Sequence, residues 1–140
     1  MSGSPSQPSG WDTRELERLG GATEVQLASR RPDGTLRPYT TMWVVRVGDD
    51  LYVRSAYGPG NPWYRRARAS GHGRIRAGGV ERNVSFEEAA LAAQVLIDDA
   101  YHAKYDSYGE HIVGTVVGPK AHDVTIRLTP NEAAAAAGTQ

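Results

Sequence analysis

The chain has 140 residues, room for one domain with a real core but not for two. Lys plus Arg and Asp plus Glu both number 16, and the resulting zero formal charge argues against a general nucleic-acid binder, which shows its phosphate affinity as a basic excess. Cysteine is absent, which excludes disulfides, iron–sulfur clusters and thiol catalysis, and no apolar run approaches the ~20 residues that cross a bilayer.

The opening "MSGSPSQPSG", residues 1–10, is polar and rich in Pro, Ser and Gly with no apolar signal core, so it reads as a disordered leader of a cytoplasmic protein. The folded domain is expected over residues 11–130. "WDTRELERLGG" is a short helix, with Asp12 and Glu15 spaced as a capping box and Gly20 ending it. "EVQLASR" alternates as a strand with Val25 and Leu27 on one face, and "RPDG" is a turn. "TLRPYTTMWVVRV" reads as one long strand, and "GDD" connects it tightly to the strand "LYVRS". A glycine-rich loop leads to a helix from Pro62 to Ser70, stopped by Gly71. "GRIRAGG" and "VERNVSF" form a hairpin across Gly78-Gly79, a favoured two-residue turn.

"EEAALAAQVLIDDAYHAKYDSYG" is the longest helical stretch. Leu91, Val95, Tyr101 (or Ala100), Tyr105 and Tyr108 recur along this stretch and are expected to line one stripe. "AHDVTIRLTP" alternates, with Val124, Ile126 and Leu128 in and Thr125 and Arg127 out. The Ala-rich end, residues 131–140, reads as a disordered tail. Six strands dominated by hairpins, with two or three helices, predict an α+β fold: a small closed or split antiparallel barrel carrying helices.

Chemistry concentrates in "SAYGPGNPWYRRARASG", residues 55–71. Asn61 at an N-cap and Pro62 at the first helical position are strong helix-start signals. Gly58 and Gly60 let the backbone approach a ligand, free N–H groups open the helix, and Arg54, Arg65 and Arg66 flank it. These are the ingredients of a phosphate site; a solvated arginine face behind a structural cap is the alternative reading. Lys104 and Lys120 are the only lysines, so the basic charge is carried by guanidinium forks suited to phosphate, although base composition gives the same bias. Trp63 and Tyr64 read as core anchors. Asp98, Asp99 and His102 share adjacent turns near Glu110-His111, but no second ligand pair has suitable spacing, so no metal site is assigned. His72, between two glycines, reads as an exposed turn residue. No nucleophile elbow surrounds Ser55.

"LYVRSAYGPGNPWYRRARASGHGRIRAGG" resembles the corresponding region of small actinobacterial deazaflavin- or flavin-dependent nitroreductases of the split-barrel superfamily, through Ser55, Gly58, Pro62, Trp63, Tyr64 and the basic helix. Upstream, Arg30, Arg31 and Gly34 hold positions of that family's phosphate hairpin, while Pro32-Asp33 stands where Lys-Ser is expected. Over residues 11–130 the chain is closer still to a bacterial family of unknown function. It shares with that family the stretches from Trp43 to Ser55, from Ile97 to Tyr105 and from Thr125 to Pro130.

The resemblance implies a six-stranded split β-barrel of the flavin-binding type, a homodimer with the cofactor ring in a groove at the dimer interface. FMN or a deazaflavin would then set its phosphate against Arg30, Arg31, Arg54, Ser55 and the loop from Gly58 to Asn61. Thr40 and Thr41 would lie under the ring, with Trp63 and Tyr64 near it. Tyr101, Tyr105 and Tyr108 would line the substrate pocket, unless they are simply the apolar stripe of their helix. The expected function is hydride transfer to or from a small organic substrate, with the cofactor carrying the hydride. The alternative is a cofactor-free barrel that binds a small molecule, for which the altered hairpin is the main support. A purely structural dimerisation module is the third reading.

Overall fold

The computed structural model of the chain describes residues 10–56 and 58–131. The expected leader and tail, save Gly10 and Asn131, lie outside the described residues. The first helix, α1 (Thr13–Gly21), starts as its sequence dictates. The Asp12 carboxylate accepts from the Glu15 N–H at 2.7 Å, and Glu15 accepts from the Asp12 N–H at 3.1 Å. Leu16 and Leu19 are buried, and Arg82 ion-pairs with Glu15.

Among the described residues seven strands form one antiparallel sheet: β1 (Val25–Ser29), β2 (Thr40–Met42), β3 (Val45–Val47), β4 (Asp50–Arg54), β5 (His72–Ala77), β6 (Val80–Glu88) and β7 (Thr125–Pro130). Their order is β2-β1-β5-β6-β7-β4-β3. The expected six-strand count is corrected by one, and the change is confined to one stretch. The stretch read as a single long strand breaks at Trp43-Val44, and its halves become opposite edges of the sheet. Three residues of extended chain reach only about 10 Å. Edges that close can be joined this way only if the sheet curls on itself, so the break produces the half-barrel.

At the break, the third helix supplies what a strand ladder would. This is α3 (Gln94–Tyr105). The Tyr105 hydroxyl accepts from the Val44 N–H at 3.2 Å and donates toward the carbonyls of Thr23 and Val44, at 2.7 and 3.0 Å. The Lys104 ammonium donates to the carbonyls of Gly20 and Val44 at 2.8 and 2.7 Å, and burial pushes its pKa down to about 8. Buried backbone polar groups must find partners somewhere, and here they find them on α3.

The sheet is covered on both sides. Val25, Leu27, Val53, Ile75 and Ile126 fill the barrel, closed by α1 and by α2 (Pro62–Ser70), which contributes Tyr64 and Ala67. A second cluster lies outside it: Val45 and Tyr52 pack with Ile97, Tyr101 and Tyr105 of α3. Val113 of α4 (Glu110–Val113) and Val116 complete that layer. A last short helix, α5 (Pro119–His122), leads into β7. Thr125, expected on the solvent face, is therefore 6% exposed and faces this second layer. Arg127 remains at the rim, paired with Asp50 and Glu87.

The stripe expected on the late helix is also corrected. Leu91 and Val95 are 89% and 64% exposed, and the buried face runs through Gln94, Ile97, Tyr101 and Tyr105. Residues 91–93 form a separate 3-10 turn, so Leu91 is out of phase with the helix proper. Among the described residues no helix is long and apolar enough to cross a membrane.

Candidate functional site

Arg54, expected at a cofactor phosphate, lines the apolar end of the groove described below, and its guanidinium is bound into the second layer. Its side chain is fully buried. Nη1 donates to Asp98 and to the Val116 carbonyl, Nη2 to the Gln94 side chain at 2.7 Å, and Nε to Thr125 at 2.9 Å. Asp98 also meets His122 Nε2 at 3.0 Å. Burial alone would raise the Asp98 pKa, but the hydrogen bonds and charges of His122 and Arg54 together outweigh it and hold it below 3.8. A buried charge demands this much satisfaction. The network ties β4, α3, β7 and residues 116–122 together, and it leaves the Arg54 guanidinium no donor to spend on a ligand.

Three adjoining hollows run along one side of the barrel. The first, about 930 Å³, is walled by Arg30, Arg31, Arg37, Arg65, Arg66 and His72, with no carboxylate. A narrow waist of about 20 Å³ follows, sharing Arg37 and Arg66 with the first. The waist shares Thr40 and Trp63 with a third hollow of about 290 Å³. There Thr41, Met42, Trp43, Ile112 and Val116 give a mostly apolar wall. The groove thus passes from a cationic end to an aromatic and apolar end, within the size range of small-molecule sites. A separate open hollow of about 630 Å³ beside the Gly78-Gly79 hairpin mixes Glu24, Glu81 and Arg76. Arg76 there is already held by Gln26 at 2.7 Å and by the Tyr39 ring, so the mixture selects no ligand.

The residues expected to form one phosphate cradle are divided between the two ends. Arg30, Arg31 and Arg65 stand at the cationic end, while Thr40, Thr41, Arg54, Asn61 and Trp63 line the apolar one. Asn61 is the N-cap of α2, its side chain accepting from the Trp63 N–H at 3.4 Å. Ser55 is buried and donates to the Gly58 carbonyl at 2.6 Å, closing the loop on itself, and Gly58 takes the left-handed φ of 85° that this turn needs. Tyr64 is a core residue whose hydroxyl donates to the Asp123 carbonyl at 3.1 Å and accepts from Arg68 at 2.8 Å.

Of the three candidate substrate tyrosines, Tyr101 and Tyr105 are 0% and 1% exposed and line none of these hollows. Tyr108 is 50% exposed and meets Trp43 edge-on, with centroids 5.4 Å apart. Trp43 itself stacks flat on Tyr105 at 3.9 Å, so the apolar wall rests on an aromatic pile. The carboxylates and histidines considered as metal ligands are not brought together: Asp98 serves Arg54 and His122, and His102 bonds Asp106 at 2.8 Å. Sequence reasoning missed Arg37 and misjudged His72. His72 is half-buried at the start of β5 and faces the cationic hollow. Its position between two glycines suggested a turn, and only the pairing of β5 with β1 turns it inward.

No curated protein matches the chain. Solved structures share its fold at low identity. A candidate pyridoxamine 5′-phosphate oxidase from Listeria innocua is 19% identical with a TM-score of 0.56, covering 84% of this chain and 91% of that one. An F420 reductase is 18% identical at a TM-score of 0.51, covering 83% and 92%. A FAD-binding protein from Mesorhizobium loti is 16% identical at 0.55, covering 83% and 84%. At these identities the likeness establishes the split-barrel fold and nothing finer. A family model matches residues 15–128, and the chain belongs to that family, described as "Uncharacterized protein conserved in bacteria (DUF2255)".

Proposed function

We propose that the groove holds a flavin or deazaflavin, with the ring toward the apolar end and the anionic tail among the arginines, and that the protein is an oxidoreductase acting on a small organic molecule. The observation that carries this reading is the polarity of the groove. A carboxylate-free arginine end is joined through Thr40 and Trp63 to a wall of Trp43, Met42 and Val116. A flat ring with a phosphate-bearing tail is the ligand whose two ends ask for those two environments. The cofactor supplies the hydride chemistry; Thr40, Thr41 and Trp63 position it, and Tyr108 borders the space left for substrate. A second copy of the chain belongs to this reading, because Leu91, Val95, Leu96 and Ile112 are large apolar side chains left exposed.

Titration of the purified chain with FMN and with a deazaflavin, followed by absorbance and fluorescence, tests it. A Kd in the micromolar range for either is expected; Kd values above about 1 mM for both would end the flavin reading. The second reading, a cofactor-free binder, is favoured by one observation: Arg30 and Arg31 each turn Nη1 back onto a carbonyl of their own hairpin, Gly34 and Leu36 respectively. In that case a colourless anionic ligand shifts the thermal transition while neither flavin does.

A further inference from the structure

We propose that residues 110–117 form a lid over the apolar end of the groove, hinged at Gly109 and Gly118 and latched on the buried guanidinium of Arg54. The inference rests on the reading of the groove as a ligand site, but concerns how that site opens and closes.

Most of the wall of the third hollow is carried by β2, the end of β4 and the start of α2. Ile112, Thr115 and Val116 complete it, and they come from a stretch that belongs to no strand. That stretch is bonded chiefly to itself. The N–H groups of Val113, Gly114, Thr115 and Val116 donate to the carbonyls of Gly109, Glu110, Ile112 and Val113, at distances from 2.8 to 3.1 Å. The Thr115 hydroxyl turns back to the Ile112 carbonyl at 2.6 Å. A unit whose backbone bonds close internally can move as a body without stranding them.

Both ends have the backbone freedom a hinge needs. Gly109 stands at φ 108° and ψ 145° and Gly118 at φ 93° and ψ 176°, in a region that other residues enter only under strain. A Cβ at either position would meet nothing within 4 Å, so glycine is there for conformation and not for close packing. Among the described residues, the hydrogen bonds that leave the unit are Arg54 Nη1 to the Val116 carbonyl at 2.7 Å and, at the hinge, the Gly118 N–H to Asp98 at 3.4 Å. The post does not depend on the latch, because the other acceptors of Arg54, on Gln94, Asp98 and Thr125, belong to α3 and β7. Buried Val113 and Val116 are the pins of the closed state, and half-exposed Ile112 stands where an entering molecule meets the lid. Closure of such a segment over a bound molecule shuts water out of the apolar end.

The chain has no cysteine, so single Val→Cys changes, close to the original volume, give thiols whose reaction with DTNB measures opening. Val113→Cys and Val116→Cys report from inside the proposed lid; Val53→Cys in the barrel core and Val124→Cys beyond Gly118 report from outside it, all four positions being buried. Each rate is taken relative to that of the same variant unfolded in guanidinium. Without denaturant the two inside thiols should react at least about a hundredfold faster than the two outside ones, and with a shallower guanidinium dependence. FMN at saturation should slow the Val113→Cys reaction at least about threefold. The lid is overturned if the inside thiols react no faster than Val53→Cys, or if Val124→Cys reacts along with them. It is also overturned if FMN binds and the Val113→Cys rate does not change. If FMN does not bind while the inside thiols stay fast and the outside ones slow, the flavin reading fails and the lid stands.

Discussion

Tyr101 and Tyr105 sit one turn apart on α3, both buried, and differ in what surrounds a single oxygen. The Tyr105 hydroxyl satisfies Val44 and Thr23 at the break between β2 and β3, while the Tyr101 hydroxyl is buried without a partner of hydrogen-bond geometry. Burial raises both phenol pKa values, that of Tyr105 to about 12, so each stays protonated. Removing an oxygen that others depend on strands buried partners, whereas removing an unsatisfied one relieves a desolvation cost. Tyr105→Phe should therefore cost about 1–3 kcal/mol of stability and Tyr101→Phe should be neutral or stabilising, measured by denaturant unfolding of the two variants.

Between elements, the principal tie is Arg54 on β4 to Asp98 on α3, extended to His122 in α5. It positions Val116, whose side chain and carbonyl serve the apolar wall and the guanidinium respectively. Asp98→Asn leaves a fully buried cation without its counter-charge and should cost about 3 kcal/mol at neutral pH. The pH dependence has a definite sign. The folded-state pKa of Asp98 lies below the unfolded value of 3.8, so its contribution is fully present above that value and is lost as pH falls through the folded one. Denaturant midpoints collected across pH 2–7 should show a steeper acid limb in the wild type than in Asp98→Asn; identical limbs would remove Asp98 from the account.

At the scale of the whole molecule, the proposed second copy is tested by the exposed apolar side chains. Leu91, Val95 and Leu96 flank the start of α3, and Ile112 is half-exposed at the groove's apolar end. Monomeric chains rarely leave such a surface in water. Light scattering on the purified protein should give about twice the chain mass of 15.1 kDa, and Val95→Glu with Leu96→Glu should halve it without unfolding the barrel. A monomeric wild type would mean that the groove is complete in one copy.

Local grammar was legible along the chain. The capping box at Asp12, the Asn61-Pro62 helix start, the Gly71 stop and the Gly78-Gly79 hairpin each depend on a few neighbouring residues, and each stands as read. The long strand ending in "MWVVRV" was misread because its break is imposed from α3, some sixty residues away, by one tyrosine and one lysine. The commitment of Arg54 was illegible for the same kind of reason, although it does line the groove. A guanidinium beside a glycine-rich loop looks ready for phosphate, and only packing reveals a Gln, an Asp and a Thr from two other elements waiting for it. The sequence by itself determined where α1 and α2 start and where the Gly78-Gly79 turn falls, because those choices are made within a few residues. The tertiary structure alone decided which arginines are spent and which remain free, because that depends on partners the chain meets only when the sheet has curled.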